Sequence, residues 1–303
     1  MAEAVMYSLD DDAVLKNDEN LREACDFIIH DGSGWVSSAV RQNPRPISTF
    51  LSQFGDLRDG ATIYVKSDML YGFFAQAFPR IDTRFVLVTA GEDCSTPGVY
   101  RCHLDDPRII QWFGQNCDLP MRHPKFVPIP IGFTDPHHPH GDQVILHRLH
   151  RRMPPITDKP LRAHASFQFR PSHPERRRVL EIVRDMPHVD LEPRRIPPEL
   201  LWIRHANYAF VISPPGNGAD CHRTWEALLL RTIPIVRTSW LDPLYDELPV
   251  AIIPDWDEIT PKAMAAWQAQ FKDSFTAPVF ARLTRNYWVD RIRMAAGAAR
   301  QTG

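Results

Sequence analysis

Short apolar runs alternate with amphipathic stretches along most of the chain. Nearly continuous apolar runs are typical of strands in sheets that are covered on both faces. Their alternation with helical patterns is typical of parallel α/β layers. The predicted strands are 62–66 (TIYVK), 85–89 (FVLVT), 109–113 (IIQWF) and 126–131 (FVPIPI) in the first half, and 163–167, 208–213 (YAFVIS), 233–236 (IPIV) and 250–253 (VAII) in the second.

Three stretches between these runs predict helices. Residues 69–78 carry apolar side chains at helical spacing and stop at Pro79. Residues 174–184 form the second predicted helix, for which Ser172 can act as the N-cap. The third covers residues 223–230.

Residues 132–162 are polar, rich in proline and without periodicity, and the 303-residue chain is longer than one hydrophobic core usually serves. The sequence therefore predicts two Rossmann-like domains, 1–155 and 156–303, with the last helix able to pack back on the N-terminal domain. Ligands of such open sheets bind beyond the carboxyl ends of the strands.

Charge and cysteine usage narrow the classes of function. With 35 basic and 37 acidic side chains there is no basic excess for nucleic-acid binding. No stretch approaches the ~20 apolar residues of a membrane span, and the acidic stretch 1–12 does not resemble a signal peptide. The five cysteines are widely spaced and form no C-x-x-C pair. We therefore expect a cytoplasmic protein with reduced thiols.

The segment Ser213–Leu228 (SPPGNGADCHRTWEAL) carries the most specific chemical pattern. A buried strand leads into a glycine loop and then into a helix predicted to begin near Asp220. Gly216 and Gly218 permit positive φ and close approach of a ligand, and the N–H groups at the helix start favour an anion such as a diphosphate. Arg223 can clamp phosphate oxygens, and Glu226, one turn later, can bind ribose hydroxyls. Alternatively, the glycines only make a turn and Arg223 pairs with Glu226 on a solvated face.

This segment, with the following Pro-Ile-Val strand, resembles the donor-binding motif of exostosin-like glycosyltransferases. The resemblance extends over roughly 63–260 and points to a soluble bacterial or viral type of member. Its weaker matches are Ile63–Asp68, Phe85–Thr89 with Gly91–Asp93, Trp112–Asn116, Ile129–Gly132, Leu241–Tyr245, Leu248–Pro249 and Asp255–Trp256.

The resemblance implies a GT-B-like α/β architecture, with an N-terminal acceptor domain, a C-terminal nucleotide-sugar domain and a cleft between them. The implied reaction moves a sugar from a nucleotide-sugar donor to a glycan hydroxyl, with inversion. UDP-xylose, UDP-glucuronate and UDP-galactose are examples of the donor. The implied donor-binding residues are Ser213, Pro215, Gly216, Asn217, Gly218, Asp220, His222, Arg223, Thr224 and Glu226.

An acceptor hydroxyl needs a general base. Asp68 follows the 62–66 strand directly, and Asp93 stands at the equivalent position after 85–89, with Glu92 beside it. We predict Asp68 as the base and Asp93 as the second candidate. The alternative role of Asp68 is to cap the helix from Met69.

We expect no metal and no cofactor, because the helix start and Arg223 already offer positive charge to a diphosphate. The alternative is a metal site at Asp255 and Asp257, which form an Asp-x-Asp motif. We interpret His137, His138 and His140 as a hydrophilic loop, and Arg176–Arg178 as a solvated helix face with one arginine in reach of donor phosphates. The competing functions are a binding protein without turnover and a dinucleotide oxidoreductase, although G-x-G-x-x-G is missing after the 62–66 strand.

Overall fold

The computed structural model describes residues 14–31, 46–134, 144–168, 173–192 and 194–301. In chain order its helices and strands are α1 (Asn17–Glu23), β1 (Phe27–Ile29), β2 (Ala61–Lys66), α2 (Leu70–Gly72), β3 (Phe85–Ala90), β4 (Ile109–Gln115), β5 (Phe126–Ile129), α3 (Val144–His150), β6 (Ala163–Ala165), α4 (Pro174–Val183), β7 (Val189–Leu191), α5 (Pro198–Ala206), β8 (Phe210–Ile212), α6 (His222–Leu229), β9 (Ile233–Arg237), β10 (Ala251–Ile253), α7 (Pro261–Gln270), α8 (Ala277–Ala281) and α9 (Arg285–Gln301).

Two parallel sheets organise the chain, and each has five strands. All eight predicted strands are present; the short strands β1 and β7 were not predicted. The predicted fold class, α/β with two Rossmann-like parallel-sheet domains of the GT-B type, is confirmed at the level of the two sheets. No helix within the described residues is long and apolar enough to cross a membrane.

The chain divides into two compact units. The first unit comprises Leu15–Ile131 with the segment from Arg285, and the second comprises Val14 with Gly132–Thr284. The chain thus passes from the first unit to the second between Ile131 and Gly132. The predicted domain boundary lies between residues 155 and 156. The predicted roles of the two domains, acceptor binding and nucleotide-sugar binding, stay predictions.

In the first unit the strands follow one another in the order β1-β2-β3-β4-β5. Right-handed crossovers that all step in one direction put their connections on one face of a sheet. The other face therefore needs a cover from elsewhere in the chain. The helix α9 packs on β2, β3 and β4 and also contacts α1. Its side chains Trp288, Ile292 and Ala296, spaced four residues apart, are all buried.

The connection from β2 to β3 is helical, as predicted, but it is not one regular α-helix. A 3₁₀ turn at Ser67–Met69 leads into α2, a π-helical segment at Phe73–Ala77 and a second 3₁₀ turn at Phe78–Arg80. The buried rings of Phe73, Phe74 and Phe78 pack against one another and hold this connection in place.

In the second unit the strand order is β10-β9-β8-β6-β7. The chain runs from β6 outward to β7 and then returns to the other side of β6 to form β8. The order therefore reverses between β6 and β8. In open α/β sheets such a reversal creates a crevice at the carboxyl ends of the two strands, where ligands bind.

Candidate functional site

The glycine loop predicted as the donor-binding segment follows β8 and therefore lies at this reversal of strand order. Ser213 continues the sheet, since its N–H donates to the Ile235 carbonyl at 2.9 Å. Its hydroxyl is 2.9 Å from the hydroxyl of Thr224 in α6, and both side chains are buried. These two predicted residues thus bind each other and fix the start of α6 relative to β8.

Arg176 of α4 holds the loop in place. Its Nε donates to the Pro215 carbonyl at 2.9 Å and its Nη1 to the Gln168 carbonyl at 3.1 Å. The residue is 9% exposed, so the interpretation of Arg176 as part of a solvated helix face was wrong. The reason is that its guanidinium replaces water as the partner of two loop carbonyls.

Gly216 lies directly against the guanidinium of Arg176. Its φ does not lie in the left-handed region, and a Cβ there would lie 2.8 Å from Arg176 Nη2. Gly218 has no positive φ either, since within the described ranges the glycines with positive φ are Gly60, Gly91, Gly98 and Gly132. The small residue at 216 thus makes room for Arg176 rather than for an unusual turn.

Three of the predicted donor-binding side chains have partners within the protein. Asp220 is buried and accepts hydrogen bonds from the Trp225 indole at 2.9 Å and from the Cys221 N–H at 2.8 Å. Asn217 Oδ1 accepts from His173 Nε2 at 2.6 Å. The Nδ1 of His222 donates to the Gly132 carbonyl at 2.7 Å. The Asp220 carboxylate also lies just before α6, where its negative charge interacts favourably with the positive end of the helix dipole.

Arg223 differs from these residues because much of its hydrogen-bonding capacity is unused. Its Nε and Nη1 are buried and have no hydrogen-bond partner among the described residues. The guanidinium carbon lies 5.9 Å from the centre of the Phe167 ring, which follows β6. Burial lowers the pKa of Arg223 from 12.5 to about 10. A buried guanidinium with two unused donors is suited to bind an anion that the protein itself does not supply.

Two buried histidines, His164 and His205, lie near Arg223. The rings of His164 in β6 and His205 in α5 are 5.1 Å apart. Burial lowers the pKa of His164 to about 4 and that of His205 well below its usual value, and the positive charge of Arg223 adds to both effects. Both histidines are therefore neutral at pH 7, and they bring no second positive charge to Arg223.

Glu226 lies three residues after Arg223, on the same face of α6. Its side chain is 9% exposed, and burial raises its pKa, although a hydrogen bond from Trp202 and the charge of Arg223 oppose that rise. The alternative of a solvated Arg223–Glu226 pair is therefore wrong, because both side chains are largely enclosed. Binding of ribose hydroxyls by Glu226 stays a prediction.

The Asp-x-Asp motif after β10 is engaged in local structure. Asp255 accepts the Trp256 N–H at 2.7 Å as an N-cap and forms an ion pair with Arg178. The hydrogen bond from Trp256 lowers the pKa of Asp255, as does Arg178. In the described part of the chain no group of three or more acidic, histidine or cysteine side chains could hold a metal ion. His137, His138 and His140, and the proposed cap Ser172, lie outside the described residues.

In the first unit Asp68 lies in the 3₁₀ turn directly after β2. Asp68 is the N-cap neither of this turn, where Lys66 holds that position, nor of α2, where Met69 does. Its Oδ2 accepts instead from Lys66 Nζ at 2.8 Å. Asp93, the second predicted base, is exposed in the loop after β3. The role of Lys66 was not predicted from the sequence. A lysine at the end of an otherwise apolar strand, followed two residues later by a carboxylate, is the signal that could have indicated it.

Comparison with known proteins finds solved structures that resemble this chain, but no matching family model or sequence. No protein-family model matches the chain, and no curated protein matches its sequence, so the exostosin-like family stays a resemblance. A UDP-forming α,α-trehalose-phosphate synthase from Burkholderia xenovorans is 10% identical with a TM-score of 0.47, over 86% of this chain and 79% of that one. The corresponding synthase from Burkholderia multivorans is 10% identical with a TM-score of 0.47, over 84% and 75%. Sucrose-phosphate synthase from Thermosynechococcus elongatus is 12% identical with a TM-score of 0.36, over 84% and 76%.

Proposed function

We propose that the chain is a nucleotide-sugar-dependent glycosyltransferase whose second unit binds the donor. The observation that carries the proposal is the buried guanidinium of Arg223, which has two unused N–H donors and lies in the first turn of α6 at the reversal of strand order. A diphosphate would provide acceptors for both donors. It would also face the backbone N–H groups of the helix start, where negative charge is favoured.

The donor site then has three parts with separate roles. Arg223 and the backbone of 216–222 stabilise the negative charge that develops on the departing diphosphate, and electrostatic stabilisation of this kind usually contributes most to the rate of such a reaction. Glu226 binds ribose hydroxyls. Ser213, Thr224 and Asp220 keep the loop in shape without touching the donor. We propose a UDP-sugar as the donor, with UDP-xylose, UDP-glucuronate and UDP-galactose as the first to test.

The proposed acceptor is a glycan hydroxyl, and Asp68 of the first unit is the proposed general base. The half-exposed Asp68 carboxylate at the carboxyl end of β2 has one oxygen held by Lys66. When Asp68 takes the hydroxyl proton and the acceptor oxygen attacks the anomeric carbon directly, on the face opposite the departing diphosphate, that carbon is inverted. The exostosin-like motif in Ser213–Val236 supports the same class of reaction.

The test is release of nucleoside diphosphate from a panel of UDP- and GDP-sugars, with and without oligosaccharide acceptors. We expect release with at least one UDP-sugar, and a roughly 10²- to 10⁴-fold loss of turnover in Asp68→Asn with unchanged UDP affinity. Asp93→Asn is the variant for comparison, since Asp93 is the second candidate base: a loss of turnover in Asp93→Asn with near-normal turnover in Asp68→Asn would make Asp93 the base. UDP binding without release would indicate a binding protein, whereas reduction of NAD(P) with no release would indicate an oxidoreductase.

A further inference from the structure

A buried lysine lies at the carboxyl edge of the first sheet. Lys66, the last residue of β2, is 1% exposed. Removing an ammonium group from water costs several kcal/mol unless it is paired. Its Nζ lies 2.8 Å from Asp68 Oδ2, 2.7 Å from Glu92 Oε1 and 3.6 Å from Asp31 Oδ1. Three carboxylates that follow β1, β2 and β3 therefore converge on one enclosed cation.

The carboxylates differ in how far they reach the surface. The side chains of Asp68 and Glu92 are each 39% exposed, whereas Asp31 is 8% exposed. Asp31 thus neutralises Lys66 from inside. Asp68 and Glu92 instead join the buried cation to solvent.

The loop after β3 fixes Glu92 and leaves Asp93 outside this arrangement. Gly91 has a φ of +86°, and a Cβ there would lie 2.8 Å from the Tyr64 hydroxyl. This tight turn directs the chain so that the Glu92 side chain reaches Lys66, while the Glu92 carbonyl accepts from Gln115 Nε2 at 3.2 Å. Asp93 is exposed, and no hydrogen bond or ion pair joins it to another described residue. Glu92 is therefore held at both its main chain and its side chain.

We propose that Lys66 is the positioning residue of the acceptor-activating site, and that it holds Asp68 together with Glu92, rather than Asp93, as the working pair of carboxylates. The proposal rests on the glycosyltransferase function proposed above. Lys66 engages Oδ2 of Asp68 and Oε1 of Glu92, so the second oxygen of each carboxylate is the one that accepts a proton.

The sugar-transfer step uses only these groups and the two substrates. The acceptor O–H gives its proton to Asp68 Oδ1, and the acceptor oxygen forms a bond to the anomeric carbon. The bond from the anomeric carbon to the diphosphate oxygen breaks, and its electron pair leaves with the nucleoside diphosphate. Lys66 keeps its proton throughout, because hydrogen bonds to Asp68 and Glu92 outweigh the effect of burial and raise its pKa.

Lys66 also places a positive charge between the two carboxylates. Two carboxylates that share one nitrogen as a neighbour repel each other, and without the cation the pKa of one of them rises. Among the described residues, the other charged groups near the pair are Asp31, which is 3.6 Å from Lys66, Asp93, which follows Glu92 in the chain, and Asp18, which lies against Gly91. The nearby Cys94 thiol stays protonated, because burial and the carboxylates Asp68, Glu92 and Asp93 raise its pKa. The positive charge of Lys66, 2.8 Å from Asp68 and 2.7 Å from Glu92, thus offsets the repulsion between the two carboxylates.

The experiment compares pH profiles of kcat/KM and UDP affinities in Lys66→Met, Lys66→Arg, Glu92→Gln and the double variant Lys66→Met/Glu92→Gln, with Asp93→Asn as the control. We expect Lys66→Met to move the acidic limb up by at least one pH unit and to lower kcat/KM about 10- to 100-fold at neutral pH, with unchanged UDP affinity. Lys66→Arg and the double variant should move the limb back toward that of the wild type. An acidic limb that stays in place in Lys66→Met, or that moves in Asp93→Asn, would overturn the proposal.

A second measurement covers the case in which Lys66→Met does not fold or the wild type transfers no sugar. Titration of the side-chain carboxyl carbon of Asp68 by NMR gives its pKa directly. We expect Glu92→Gln to lower that pKa by more than Asp93→Asn does, because Glu92 shares Lys66 with Asp68. Equal effects of the two variants would refute the pairing. An inactive wild type with the expected titration would instead refute the glycosyltransferase function and leave the pairing intact.

Discussion

Replacing Arg223 by methionine should change affinity and stability in opposite directions. The guanidinium presents two buried donors, Nε and Nη1, without partners among the described residues. A hydrogen bond to a charged group contributes about 1.5–3 kcal/mol. Loss of two such bonds to a diphosphate should therefore cost about 3 kcal/mol or more, which corresponds to a roughly 100-fold weaker UDP complex. Isothermal calorimetry with UDP measures this directly.

The same substitution should not destabilise the free protein. Burial lowers the pKa of Arg223 from 12.5 to about 10, so the folded state holds the proton less tightly than the unfolded state. At pH 7, which lies below both values, the charged form therefore costs stability, by up to about 3 kcal/mol at 1.36 kcal/mol per pH unit. Methionine removes that cost and fills similar space. We expect the melting temperature of Arg223→Met to be at least that of the wild type and up to a few degrees higher.

Arg231 provides the matched control for this prediction. It lies just beyond the other end of α6, its Nε is also buried without a described partner, and burial lowers its pKa as well. Arg231→Met should share the effect on stability and leave UDP affinity unchanged. A lower melting temperature for Arg223→Met together with wild-type UDP affinity would refute the argument, because Arg223 would then be a structural residue.

Three further predictions concern the ribose, metal ions and pH. Glu226→Ala should weaken UDP binding several-fold, whereas 2′,3′-dideoxy-UDP should bind to wild type and variant with the same affinity. If the two proteins bind this analogue with different affinities, Glu226 does not contact the ribose hydroxyls. Activity should survive EDTA in the turnover assay, and loss with recovery on Mn²⁺ would favour Asp255 and Asp257 as ligands. Burial lowers the pKa of Lys159 to about 7, so the unfolded state binds more protons and stability should rise between about pH 7 and 10. In Lys159→Met, stability measured from melting curves at each pH should rise less over that range than in the wild type.

The strands were predictable where apolar runs were long enough to be distinctive. The runs around Val65 and Leu87 are buried along their whole length, as continuous apolar strands in a covered sheet should be. The strands β1 and β7 have three residues each, and β7 contains Asp190. Such short segments gain their strand conformation from pairing with a neighbour, and their own sequence does not indicate it.

The candidate site was predictable in position and less so in its contacts. The glycine loop and α6 follow a strongly apolar strand, so their place at a sheet edge followed from the sequence. The roles of Arg176 and Lys66 did not follow, because charged side chains are seldom buried. Some of the partners that allow burial, Pro215 for Arg176 and Glu92 for Lys66, also lie in other segments of the chain. Gln168 and Pro215 are the partners of Arg176, and neither is identifiable by spacing.

The position of α9 in the chain has a consequence for how the protein is synthesised. The strands of the first unit leave the ribosome early, but the helix that covers one face of their sheet is made only after Thr284. During that interval the strands that receive Trp288 and Ile292 have no such cover. A fragment that ends at Ile131 should therefore aggregate or recruit a chaperone, and supplying 285–303 as a separate peptide should restore its solubility.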